Sequence, residues 1–121
     1  MGTTTVTVQV CRVDDPNNCR EVKDVVVDTG AWVSAFPESI LKSLGIDLPL
    51  EREFTLADES KVRKKVGGAL LKLDDRSTTD DIIAVPEGAR SLLGVRALEG
   101  LALRVDPRTG RLEKEDASLL L

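Results

Sequence analysis

Val25-Val26-Val27-Asp28-Thr29-Gly30-Ala31 is the stretch on which the reading of this chain turns. Three consecutive β-branched apolar residues predict a buried strand, and an ionisable residue stands where that strand ends. A buried or half-buried Asp costs free energy unless it is hydrogen-bonded, paired or functional. Gly30 lets the backbone approach closely, and the Thr29 hydroxyl can tie the turn in place. The segment therefore presents a carboxylate from a rigid base.

Working outward, Val6, Val8 and Val10 alternate with Thr7 and Gln9, the period of a half-buried strand. A second strand is expected from about Glu21 to Val27, with Asp14-Asp15-Pro16-Asn17-Asn18 as the turn of a hairpin between them. If that hairpin is symmetric about Asp15, Cys11 faces Cys19. A cross-strand disulfide is then geometrically conceivable, and a reduced pair is the default expectation in a reducing cytosol. Downstream, Trp32 to Phe36 predicts a short strand. Pro37-Glu38-Ser39 opens a helix with Pro at its first position, and Gly45 ends it. Further strands are expected at Glu51 to Leu56, Lys61 to Val66, Ala69 to Leu73 and Asp81 to Val85, the first two joined through Ala57-Asp58-Glu59-Ser60. Leu92-Leu93-Gly94 leads into a short helix near Arg96 to Glu99. A strand at Ala102 to Val105, a turn at Pro107 to Gly110 and a return strand at Arg111 to Lys114 complete the reading. Many short strands with one or two brief helices indicate an all-β barrel or sandwich-like domain, a single one over residues 1–121.

Composition restricts the chemistry. The chain has 121 residues, 41% hydrophobic and 31% charged, which fits a soluble globular domain and neither a disordered polyelectrolyte nor a membrane protein. The start lacks the pattern of a secretory signal, so a cytoplasmic location is expected. A net charge of -4 argues against a nucleic-acid partner, and the basic run Lys61 to Lys65 is expected to be a solvated strand face. The chain contains no His, which excludes Ser-His-Asp and Cys-His nucleophile systems and His-based zinc sites, and two Cys are too few for a Cys-only zinc cage. Asp74, Asp75, Asp80 and Asp81 lack the ligand spacing of a calcium loop and are expected in a solvated turn. No metal and no cofactor is expected. Hydrolytic chemistry would rest on carboxylates.

With these residues in view, the sequence resembles the retropepsin-like aspartic proteases, the family of the single-domain retroviral proteases. Asp28-Thr29-Gly30-Ala31 is similar to the family's catalytic signature, and Leu92-Leu93-Gly94 to its second signature. The resemblance runs from about Val6 to Leu112. It implies a small closed barrel and an aspartic endopeptidase acting on a peptide or protein substrate, with Asp28 as the single catalytic carboxylate. One Asp is insufficient for amide hydrolysis, which needs a base and an acid, and the chain holds no second Asp-Thr-Gly or Asp-Ser-Gly. A homodimer would supply the second Asp28, the two carboxylates sharing a proton. The resemblance further implies that Thr29 and Gly30 support the active-site loop and that Gly30, Ala31, Trp32, Ala57, Asp58 and Glu59 contact substrate, the last three as the tip of a flap. Trp32 is expected in core or interface packing slightly more than in a pocket wall. Viral members carry an Asp and an Arg where this chain has Trp32 and Val95, and an apolar contact is the expected replacement. Leu119-Leu120-Leu121 is either part of the dimer interface or a frayed tail. The alternative function is a catalytically silent member of the same fold that binds peptides or serves for dimerisation.

Overall fold

The computed structural model describes residues 3–117 and Leu119. Nine strands and two short helices follow one another as β1 (Thr5–Arg12), β2 (Asp15–Val27), β3 (Ser34–Pro37), α1 (Glu38–Leu44), β4 (Leu50–Thr55), β5 (Lys61–Leu73), β6 (Arg76–Val85), β7 (Leu92–Leu93), α2 (Val95–Gly100), β8 (Leu103–Val105) and β9 (Leu112–Lys114). Seven of them form one sheet in the order β1-β2-β7-β3-β6-β5-β4, and an additional β1–β5 pairing brings the sheet back on itself. β8 and β9 pair separately. The mostly β architecture with two short helices matches the sequence reading.

The apolar alternation seen in the sequence lines the interior. Val8, Val10, Val25, Phe36, Leu71, Ile82 and Leu93 are buried in one cluster, closed by Leu41 and Leu44 of α1 and by Ala97 and Leu98 of α2. With two Phe and one Trp in the chain, branched aliphatic residues fill nearly all of this core. α1 stops at Gly45, whose left-handed φ of 68° a residue with a Cβ would adopt only under strain.

Several local expectations are corrected. The first hairpin turns at Val13 and Asp14 rather than over residues 14–18. Arg12 pairs with Asp15 and Cys11 with Cys19, so Pro16, Asn17 and Asn18 are accommodated as an irregularity within the ladder. Cys11 and Cys19 still face one another, with Cα atoms 4.0 Å apart, and they are joined as a disulfide instead of forming the reduced pair expected. Pro37 is the last residue of β3, paired with Val85, and caps α1 from outside with an extended ψ of 136°; the helix begins at Glu38. The two strands expected on either side of Gly67-Gly68 are one continuous β5. Gly67 serves there for close approach, since a Cβ on it would collide with the Asp47 carbonyl oxygen. Asp80 and Asp81 belong to β6, not to a solvated turn, and Asp80 is only 6% exposed.

The basic run behaves as expected, with Lys61, Arg63, Lys64 and Lys65 exposed on β5. Arg76 donates through Nη1 to the carbonyls of Leu101, Ala102 and Glu115, tying the C-terminal segment to β6. Leu119 is exposed, while Leu120 and Leu121 of the expected terminal contact lie outside the described residues. Among the described residues, no helix is long and apolar enough to cross a membrane.

Candidate active site

Asp28 follows directly on β2, an interior strand of the sheet. β2 runs parallel to β7, pairing Val26 with Leu92 and Val27 with Leu93, and β7 pairs on its other side with β3. The Asp28 N–H continues this ladder by donating to the Leu93 carbonyl at 3.0 Å. The turn then closes on itself. Gly30 N–H donates to Asp28 Oδ1 at 2.9 Å, and Ala31 N–H donates to the Asp28 carbonyl at 3.1 Å. One carboxylate oxygen is thereby fixed by the backbone, and the side chain remains partly exposed at the end of a rigid strand.

A second loop, residues 91–95, is locked against the first. Val95 N–H donates to the Ala31 carbonyl at 2.8 Å, and Gly94 N–H donates to Ser34 Oγ at 3.0 Å. Only glycine fits at position 94, because a Cβ there would lie 2.6 Å from the Val33 carbonyl oxygen and 2.9 Å from that of Ala31. Leu92-Leu93-Gly94 thus has a physical role: two residues extend the sheet and the third permits the loops to touch.

Behind the loops lies a buried polar chain that the sequence reading missed. Ser34 is fully buried; it accepts from Gly94 N–H and donates to Asp80 Oδ2 at 2.9 Å. Burial pushes the Asp80 carboxyl above its ordinary value, while the Ser34 hydrogen bond pulls it back in part. Because Ser34 and Asp80 sit on adjacent paired strands, this chain fastens the loop at Gly94 to the middle of β6. Nothing in the spacing of Ser34, Asp80 and Gly94 along the sequence signals it.

The groove beside Asp28 has a volume of about 530 Å³. One wall is Gly30, Ala31, Trp32 and Val33, and the opposite wall is the β4–β5 hairpin, through Phe54, Leu56, Ala57 and Val62. Of the residues expected to contact substrate, the fold brings Gly30, Ala31, Trp32 and Ala57 together with Asp28. It leaves Asp58 and Glu59 exposed and outside the lining, as it does Thr29, the residue expected to support the loop. The hairpin tip is ordered by its own bonds: Leu56 N–H donates to the Ser60 carbonyl at 2.8 Å, and Ser60 N–H and Oγ both donate to Asp58 Oδ1. The hydroxyl and N–H of Ser60 hold the Asp58 carboxyl below its ordinary value. Glu59 occupies a left-handed φ of 69°, a conformation that a non-glycine residue adopts at a cost.

Trp32 is not a core residue. It is half exposed, and two guanidinium groups lie over its ring, that of Arg52 at 4.5 Å and that of Arg96 at 5.5 Å from the centroid. Arg96 in turn pairs with Asp81 at 2.9 Å. Arg96, the residue after Val95, thus makes a cation–π contact with Trp32, at or beside the two positions where viral members carry their ion pair. Among the described residues, no three His, Cys, Asp or Glu side chains are grouped so as to hold a metal ion.

No protein-family model and no curated protein sequence matches the chain. Among solved structures, the chain is similar to the protease of simian foamy virus (mac), determined in solution, with a TM-score of 0.55 and 14% identity. The match covers 79% of this chain and 92% of that one. The identity is low and the agreement lies in the path of the backbone: the chain has a retropepsin-like fold.

Proposed function

We propose that this chain is one subunit of a homodimeric aspartic endopeptidase with Asp28 as its catalytic carboxylate. The observation that carries the reading is the position of Asp28, held by the Gly30 N–H at the end of an interior strand and open to a groove walled by the β4–β5 hairpin. Amide hydrolysis needs a base to activate water and an acid to protonate the departing nitrogen. A twofold dimer with its axis beside Asp28 supplies both from one residue type.

In the working state the two carboxylates share one proton, because two adjacent negative charges repel. The ionised one takes a proton from water as the water oxygen bonds to the scissile carbonyl carbon, and the protonated one donates to the carbonyl oxygen. The carbon–nitrogen bond then breaks as the nitrogen receives a proton, leaving a carboxylic acid and an amine. Thr29, exposed beside the carboxylate, is available to brace the two loops across the axis. The hairpin around Ala57, Asp58 and Glu59 acts as the flap, so that an extended peptide lies between it and Gly30.

The test is hydrolysis of a mixed peptide library at a series of enzyme concentrations. The reading predicts that the rate per subunit falls on dilution as dimers dissociate. A rate per subunit that stays constant well after sedimentation shows only monomer would refute the shared site.

A further inference from the structure

The groove beside Asp28 carries positive charge at a defined place, although the chain as a whole is acidic, with a net charge of -4. On the β4–β5 hairpin, Arg52 pairs across with Lys64 and Phe54 with Val62, so these four side chains share one face of the ladder. Phe54, Val62 and Lys64 line the groove, and Arg52 lies over the Trp32 ring that forms the facing wall. The cation of Arg96, which also lies over the Trp32 ring, is engaged by Asp81. Those of Arg52 and Lys64 are not: among the described residues, neither forms a salt bridge, whereas the neighbouring Arg63 pairs with Glu51. Glu53 also borders the groove, but it stands at the alternate position of β4, opposite Arg63.

A half-exposed indole beside the unpaired cation of Arg52, with that of Lys64 opposite it on the neighbouring strand, fits a side chain with an apolar stem and an anionic end. The stem lies against the part of the indole left exposed, and the carboxylate meets the guanidinium and the ammonium, a charge-assisted contact. We infer that Trp32, Arg52 and Lys64 form a subsite that selects an acidic side chain, Asp or Glu, in an extended peptide bound beside Asp28. This rests on the reading of the groove as a peptide site and names the class of peptide it takes. The selection is electrostatic, so it weakens with salt.

Binding separates this inference from catalysis. The Asp28→Asn chain is titrated with short fluorescein-labelled peptides that are identical except for one central residue, Glu, Gln or Lys, among apolar neighbours, and anisotropy is read. At low salt the Glu peptide binds about fivefold more tightly than the Gln peptide, and the Lys peptide binds weakest. The difference closes in roughly 1 M salt, where screening acts within about 3 Å. It closes also in the Arg52→Gln/Lys64→Gln double variant, both residues being exposed strand positions. Equal affinities, absence of binding by any of the three peptides, or a Glu preference that survives the double substitution overturns the subsite. A Glu preference in a chain whose wild type hydrolyses nothing supports the subsite while the protease reading fails. Hydrolysis with no acidic preference among the cleaved peptides leaves the protease reading standing and overturns the subsite.

Discussion

Replacing Ser34 by Ala removes a single oxygen from the interior and separates two buried groups from their partner. Gly94 N–H loses the acceptor at 3.0 Å, and the Asp80 carboxyl loses the donor at 2.9 Å. Ser34 is fully buried and Asp80 nearly so, which leaves water a poor substitute for either contact. An orphaned buried polar group costs about 1–3 kcal/mol, so the pair is expected to cost about 2–6 kcal/mol at neutral pH. Against a total stability of about 5–15 kcal/mol, that is a large share. With a midpoint shift of about 4 °C per kcal/mol for a domain of this size, Tm should fall by ~8–24 °C.

The effect depends on pH in a definite direction. Burial raises the Asp80 carboxyl above its unfolded value, so the fold binds that proton more tightly than the unfolded chain does. This contribution favours the fold below the unfolded value, and it is lost as pH rises through the raised one. The Ser34 hydrogen bond opposes the rise, and without it the Asp80 carboxyl moves further up. The Ser34→Ala penalty is therefore smaller in acid and full near neutrality. Urea unfolding of both proteins across that range measures it. A penalty below about 0.5 kcal/mol, or one that shrinks as pH rises, would refute the account of the buried chain.

Asp80→Asn removes the titrating group while keeping an acceptor for Ser34, and stability should then vary less with pH above about pH 4, as read by the same unfolding series. Gly94→Ala drives a Cβ to 2.6 Å from the Val33 carbonyl oxygen, so the chain should lose about 1–3 kcal/mol and, with the loops forced apart, most of any peptidase activity. The Cys11–Cys19 bridge spans a separation of 8 residues, and the Cys11→Ser/Cys19→Ser variant should lose about 2.5 kcal/mol, seen as a lower urea midpoint than that of the oxidised protein. Glu59→Gly relieves a left-handed φ of 69° and should leave stability unchanged or raise it by up to about 1 kcal/mol, while a β-branched residue there lowers it; thermal melts distinguish the two.

Much of the site was legible because it is built from local signals. Val25-Val26-Val27-Asp28 reads as a strand ending in a carboxylate, and two of the three backbone bonds that hold Asp28 come from residues two and three positions away, the third running to Leu93. The β4–β5 hairpin was equally readable from its alternation and its Ala57-Asp58-Glu59-Ser60 tip. What escaped the sequence depends on long-range register. Ser34 and Asp80 meet across 46 residues because β3 runs parallel to β6, and no local pattern records that pairing. Asp80 consequently looked like one of a solvated acidic group. Trp32 is expected in core or interface packing ahead of a pocket wall, and the fold excludes the core: it is half exposed in the groove, with two arginines over its ring that arrive from β4 and α2. The first hairpin was misread by three residues because Pro16-Asn17-Asn18 carries a stronger turn signal than Val13-Asp14, where the chain reverses. Gly67-Gly68 looked like a break between strands, whereas Gly67 makes room for the Asp47 backbone.

The claim that Asp28 performs the chemistry is tested most directly by Asp28→Asn, which keeps the size of the side chain and an oxygen for the Gly30 N–H but removes the acid-base function. Wild-type and variant chains, with matched unfolding midpoints and matched association by sedimentation, are incubated with the same peptide library from acidic to neutral pH, and the products are counted by mass spectrometry. The account predicts hydrolysis by the wild type, with a rate that rises and then falls as pH increases, and almost no turnover by the variant. Near-normal hydrolysis by folded, uncontaminated Asp28→Asn protein would contradict it.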